Sequence, residues 1–150
     1  MIMKKALFIL FLILSVIMTK NSKAQQAETT NTDTELIIDS EKLVVVWTSG
    51  DAEVAKKMVY MYTYNAKKYG WWKDITFIIW GPSAKLLTED NELQDYIKRM
   101  KKEGIVLEAC KACAEMYEVS DKLTELGVDV KYMGTVLTDY IKSERHVITF

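Results

Sequence analysis

The stretch Leu43-Val44-Val45-Val46-Trp47-Thr48-Ser49-Gly50-Asp51 decides the fold. Its first five residues form an unbroken apolar run rich in β-branched valine. That is the composition of a strand covered on both faces, not one alternating between core and solvent. Thr48 to Asp51 then supply turn and helix-capping chemistry. Beyond them Ala55, Met58, Val59, Tyr62, Ala66 and Tyr69 recur at the spacing of one helical face. Lys56, Lys57, Lys67 and Lys68 lie largely off that stripe, and Gly70 supplies the stop. A buried strand leading directly into an amphipathic helix is the first half of a βαβ unit.

The pattern continues to the end of the chain. Ile75-Thr76-Phe77-Ile78-Ile79-Trp80 reads as a second strand closed by Gly81-Pro82-Ser83, with a short helical piece over residues 84–87. Leu93, Tyr96, Ile97 and Met100 mark the next helix, stopped by Gly104. Ile105-Val106-Leu107 reads as a third strand, and Cys113, Met116, Tyr117, Ser120 and Leu123 as the inner face of one helix ended by Gly127. Residues 128–132 form a fourth strand, 136–141 a short helix and 146–150 a last strand. Helices recurring between short buried strands predict a three-layer α/β domain with a five-stranded, mostly parallel sheet. Ligands in such sheets bind beyond the carboxyl ends of the strands, at residues 48–51, 81–83 and 109–113 here.

Composition narrows the function. The chain has 150 residues, 49% hydrophobic and 27% charged, with 20 Lys and Arg, 21 Asp and Glu, a single His and two Cys. One domain fits that length. Lys4 and Lys5 precede an apolar run from Ala6 to Leu14 that continues to Met18, and Ser22-Lys23-Ala24 places small residues at the cleavage positions of a secretory signal peptide. Residues 1–24 are expected to be removed, because the apolar run is too short for the ~20 residues of a membrane span. Residues 25–35 are a polar tether and 36–150 the domain. Residues 1–24 hold four Lys (Lys4, Lys5, Lys20, Lys23) and no acid, so 20 minus 4 leaves 16 basic against 21 acidic residues, a formal charge of -5. The expectation is an exported, periplasmic or secreted protein without stable membrane insertion after cleavage. The acidic balance argues against a nucleic-acid partner.

Chemistry has few places to sit. Cys110-Lys111-Ala112-Cys113 lies between a strand and a helix start. The i, i+3 spacing brings two thiols within bridging reach. Free backbone amides at a helix N-terminus can lower a thiol from ~8.5 toward ~7, with Lys111 helping and Glu108 and Glu115 opposing. Cys110 is expected to be the nucleophile and Cys113, on the apolar stripe, the resolving or buried partner. Three alternatives stand beside thiol chemistry: a structural disulfide, whose loop is too short to stabilise much; two inert buried thiols; and a zinc site. A zinc site lacks ligands with one CxxC and one His, so no metal is expected, and nothing points to another cofactor. The order differs from thioredoxin-like proteins, since this CxxC follows the third strand and the only proline, Pro82, precedes it.

Three segments together resemble the DsrE/DsrF-like family of small α/β proteins linked to sulfur relay. They are Val44-Val45-Val46-Trp47-Thr48-Ser49-Gly50-Asp51, Ile78-Ile79-Trp80-Gly81-Pro82-Ser83-Ala84-Lys85-Leu86-Leu87, and Gly104-Ile105-Val106-Leu107-Glu108-Ala109-Cys110-Lys111-Ala112-Cys113-Ala114. The resemblance runs from Lys42 to Phe150. It implies a flavodoxin-like sheet, assembly into homo-trimers or hexamers, and a persulfide-bearing cysteine after the third strand, a position held here by Cys110. A sulfur donor or acceptor protein, or a small thiol, is the partner it implies. The alternative function is a non-enzymatic oligomeric binding module with a structural disulfide.

Other residues complete the candidate site. Trp47 and Trp80 end adjacent strands and either wall a pocket or pack in the core. Thr48, Ser49 and Gly50 either cradle an anion or cap a helix. Gly81, Pro82, Ser83 and Lys111 line the same end of the sheet. The aromatic stretch Met58-Val59-Tyr60-Met61-Tyr62-Thr63-Tyr64 with Tyr69, Trp71 and Trp72 is apolar beyond one helical face, which suits a subunit interface better than base stacking. His146 has no visible partner.

Overall fold

The computed structural model describes residues 41–143 and 145–150. The expected signal peptide (1–24) and tether (25–35) lie outside the described residues. Five strands form one sheet: β1 (Lys42–Trp47), β2 (Asp74–Ile79), β3 (Val106–Cys110), β4 (Asp129–Lys131) and β5 (His146–Thr149). Their order is β4-β3-β2-β1-β5, and every pairing is parallel. The β1 valines and the β2 isoleucines are buried throughout, as continuous apolar runs require in a sheet covered on both faces.

The helices are α1 (Ala52–Val54), a π-helical turn (Ala55–Val59), α2 (Tyr60–Lys68), α3 (Pro82–Glu89), α4 (Asn91–Lys102), α5 (Lys111–Met116), α6 (Ser120–Glu125) and α7 (Met133–Lys142). The layers are unequal. Leu43, Val45, Trp47, Ile75, Phe77, Ile79, Leu107 and Ala109 pack one sheet face against apolar residues of every helical segment from the π turn to α6. Val44, Val46, Ile78 and Cys110 occupy the other face, where, among the described residues, α7 packs on them through Met133, Val136, Leu137 and Tyr140, with Trp80 and Cys113 at the edge. Both layers follow from strand parity, since successive side chains point to opposite faces.

Two elements differ from expectation. The first helical rod buries Ala55, Val59, Tyr60, Thr63 and Ala66, while Met58 and Tyr69 are exposed. Its π turn, where the Tyr60 N–H reaches back to the Ala55 carbonyl, inserts an extra residue and rotates the inner face off a simple 3.6-residue stripe. The single helix expected over 113–123 is two helices, α5 and α6. Glu118 takes a left-handed φ of 56°, and the Val119 N–H closes onto the Ala114 carbonyl, ending α5. Ala114 and Leu123 then turn inward, and Met116 is left exposed.

Candidate functional site

β3 runs to Cys110, which serves both as its last residue and as the N-cap position of α5. Cys110 shares the parity of Val106 and Glu108, so its side chain lies under α7 and is only 5% exposed. Cys113, in the first turn of α5, is partly exposed. Both cysteines are free thiols linked by a side-chain hydrogen bond. The exposure is the reverse of the sequence expectation, which put Cys113 on a buried stripe. Extension of β3 to Cys110 and the inward turn of Ala114 explain the reversal.

The Cys113 thiol is not acidified. Burial pushes the Cys113 thiol above its ordinary value, and the hydrogen bond with Cys110 acts in the same direction. The backbone N–H of Gly81 opposes both by bonding to the sulfur. The expected lowering by the helix N-terminus therefore does not govern Cys113. Its side chain packs against the apolar cluster that contains Cys110 and Met133, where loss of water costs the anion more than α5, six residues long, returns.

The neighbouring loops divide between scaffold and cleft. Trp47 is closed within the core, its ring centroid 5.1 Å from Tyr60 and 6.0 Å from Phe77, so its side chain walls no open pocket. Trp80 is half-buried on the cysteine side. Thr48 donates its hydroxyl to the Phe150 carbonyl at 2.7 Å, and the Ser49 hydroxyl accepts the Asp51 N–H at 3.1 Å. Of the two alternatives there, helix capping is what the loop does, because the Asp51 carboxylate takes the N–H groups of Glu53 and Val54 at 2.8 and 3.1 Å. Ser83 is also committed: its hydroxyl donates to the Trp47 carbonyl at 2.7 Å and accepts the Trp80 N–H at 3.0 Å, tying β1 to β2. Gly81 needs its missing side chain, since its φ of 70° and ψ of -134° aim its N–H at Cys113 while Pro82 starts α3.

Lys111 forms a 3.7 Å ion pair with Glu115 and lies 5.1 Å from the Tyr132 ring centroid. Gly50 and Pro82 instead line an open cleft of about 240 Å³ with Lys85, Leu86, Glu89 and Tyr117. Cleft and cysteines therefore meet at the Gly81-Pro82 turn without sharing walls.

Sequence reasoning gave Glu108 no constructive role. It is 3% exposed, accepts the Lys131 ammonium at 2.7 Å and the Tyr140 hydroxyl at 3.0 and 3.2 Å, and faces the same side as Cys110. The signal was a lone carboxylate inside an apolar strand. Among the described residues no group of three or more His, Cys, Asp or Glu is arranged to hold a metal ion, and no helix is long and apolar enough to cross a membrane.

Residues 15–150 match the model of the DsrE/DsrF-like family. The chain belongs to that family. This DsrE-like chain is therefore related to sulfur-relay proteins. It is 39% identical to BT1422, a conserved protein of unknown function from Bacteroides thetaiotaomicron, with a TM-score of 0.71 over 73% of this chain and 95% of that one. The ychN protein of E. coli has the same layered fold at 14% identity, with a TM-score of 0.55 over 74% of this chain and 99% of that one. No curated protein matches the chain.

Proposed function

We propose that this DsrE-like protein is an exported sulfur carrier or thiol-redox protein working through Cys110 and Cys113. The observation that carries the proposal is the hydrogen-bonded pair of free thiols at the carboxyl end of the central strands, one buried and one reachable. A Cys110 thiolate attacks the outer sulfur of a donor persulfide, R–S–SH. The donor S–S bond breaks, RS⁻ leaves and takes up the proton released by Cys110, and Cys110 carries –S–SH. An acceptor thiolate then removes the outer sulfur and restores Cys110. Alternatively, Cys113 attacks the inner sulfur, forming the Cys110–Cys113 disulfide and releasing hydrosulfide, which takes the Cys113 proton. The dithiol is then oxidised by two electrons and the sulfane sulfur reduced.

The raised thiol of Cys113 suits the second role, because a retained proton keeps it from attacking before a neighbour has changed. Export is supported by the lysines and apolar run of residues 4–18, and assembly into a homo-oligomer by Met58 and Met61 standing about half exposed on one helical rod. Reduced full-length protein treated with inorganic polysulfide is expected to gain one sulfur atom by mass spectrometry, kept in Cys113→Ser and lost in Cys110→Ser. Absence of the adduct while both thiols still alkylate would overturn the proposal. N-terminal sequencing of exported protein is expected to begin at Gln25, and an intact Met1 contradicts export by cleavage. Light scattering that shows a monomer contradicts the assembly.

A further inference from the structure

Glu108 is the one charged side chain buried in the core among the described residues. An unpaired carboxylate there would be costly, and it would also oppose an anion on Cys110, two residues along the same strand face. The chain answers both problems with Lys131. In the β3-β4 ladder Cys110 is the partner of Lys131, and Glu108 that of Asp129. Adjacent strands lie only about 4.8 Å apart, so Cys110 and Lys131 stand side by side on one face. The ammonium reaches back to Glu108 at 2.7 Å and to Asp129 at 2.8 Å. Burial works against that ammonium, but the hydrogen bonds to Asp129 and Glu108 outweigh it and raise it above the ordinary lysine value. From α7, Tyr140 donates to both Glu108 oxygens, and the Arg145 guanidinium lies 4.5 Å from the Tyr140 ring centroid.

We propose that Glu108 and Lys131 are positioning residues that set the ionisation of Cys110. Lys131 offsets the buried carboxylate, Tyr140 holds the carboxylate in place, and Glu108 keeps the ammonium on the strand that neighbours Cys110. The inference rests on Cys110 being the sulfur-bearing thiol. Among the described residues the charged or titratable groups on the elements packed around Cys110 are Glu108 on β3, Asp129 and Lys131 on β4, Tyr140 on α7 with Arg145 beyond it, and Lys111 and Cys113 on α5. On β2 the packed neighbour is Ile78, which is apolar. One strand step is ~7 Å, at which a unit charge in partly screened protein shifts an ionisation by on the order of one pH unit or more, about tenfold in thiolate at fixed pH.

The test uses the full chain carrying Cys113→Ser, so that Cys110 is the only cysteine, and follows the Cβ chemical shift of isotope-labelled cysteine against pH. Lys131→Met is expected to raise the Cys110 midpoint, Glu108→Gln to lower it, and the double variant to return near the starting value. The opposite signs matter, because a purely structural ion pair would respond alike to loss of either partner. Asp129→Asn, at the exposed edge, is expected to lower the midpoint by a smaller step and serves if Glu108→Gln does not fold. Shifts of one sign, or none, overturn the inference. Opposite shifts in a protein that takes no sulfur from polysulfide retain it and reject the sulfur-carrier role instead.

Discussion

The two faces of the sheet solve different problems with the same strands. Odd-numbered residues of β1, β2 and β3, from Leu43 to Ala109, enter a core of aliphatic and aromatic side chains sealed by the helical segments from the π turn to α6. Even-numbered residues meet chiefly α7 among the described residues, and they include the thiol Cys110 and the carboxylate Glu108. The thick layer supplies stability, so the thin layer can hold groups that stability alone would not select. A buried thiol and a buried ion pair are tolerated where apolar burial is not carrying the fold.

Breaking the thick face should have the largest effect. Phe77→Ala removes a ring that packs against both Trp47 and Tyr60, and is expected to cost about 3–5 kcal/mol in denaturant unfolding. A cost near that of Glu108→Gln would erase the distinction between the faces. Glu108→Gln weakens two bonding partners on the thin face and is expected to cost about 1–3 kcal/mol.

Asp90 sharpens the same contrast from the helices of the thick face. It caps α4 through the Leu93 N–H at 3.1 Å and pairs with Lys56 at 2.8 Å. Asp90→Ala is expected to cost about 1 kcal/mol. The Lys56 hydrogen bond holds the Asp90 carboxyl below the usual carboxylate range, against the opposing effect of burial. Its contribution is therefore fully present above an ordinary aspartate pKa of about 3.9 and is lost as pH falls through the depressed folded value. Stability followed between neutral and acid pH should fall less steeply in Asp90→Ala than in the parent.

Cys113 gives the smallest stability effect with the opposite sign. Its raised thiol favours the protonated fold, so that contribution is complete below the ordinary thiol value and fades as pH rises through the folded one. Alkylation of Cys113 in the Cys110→Ser protein should speed up with pH into the alkaline range, and a plateau reached by neutral pH would contradict the closed setting described for it.

Much of the fold was legible in the sequence because burial on both faces leaves continuous apolar runs, as in residues 43–47 and 75–79. The glycines at 70, 104 and 127 all adopt positive φ just after helices, where only glycine is unstrained. The π turn was not legible: Met58 and Tyr69 satisfy a 3.6-residue stripe, and only packing of Tyr60 between Trp47 and Tyr96 reveals the shifted face. The break at Glu118 was hidden for a similar reason, since no glycine or proline announces its left-handed turn. At the site the position of the cysteines was readable, but their exposure was not. Whether β3 ends at Leu107 or at Cys110 decides whether a thiol sits in a loop or under α7, and the sequence marks Glu108 only as a charge opposing a thiolate, whereas Lys131 and Tyr140 surround it in the fold.

Mass spectrometry of the reduced full-length protein after inorganic polysulfide tests the central claim most directly. The account predicts an added sulfur atom on Cys110, retained in Cys113→Ser. An unmodified Cys110 in a folded protein, with both thiols still open to alkylation, would contradict it.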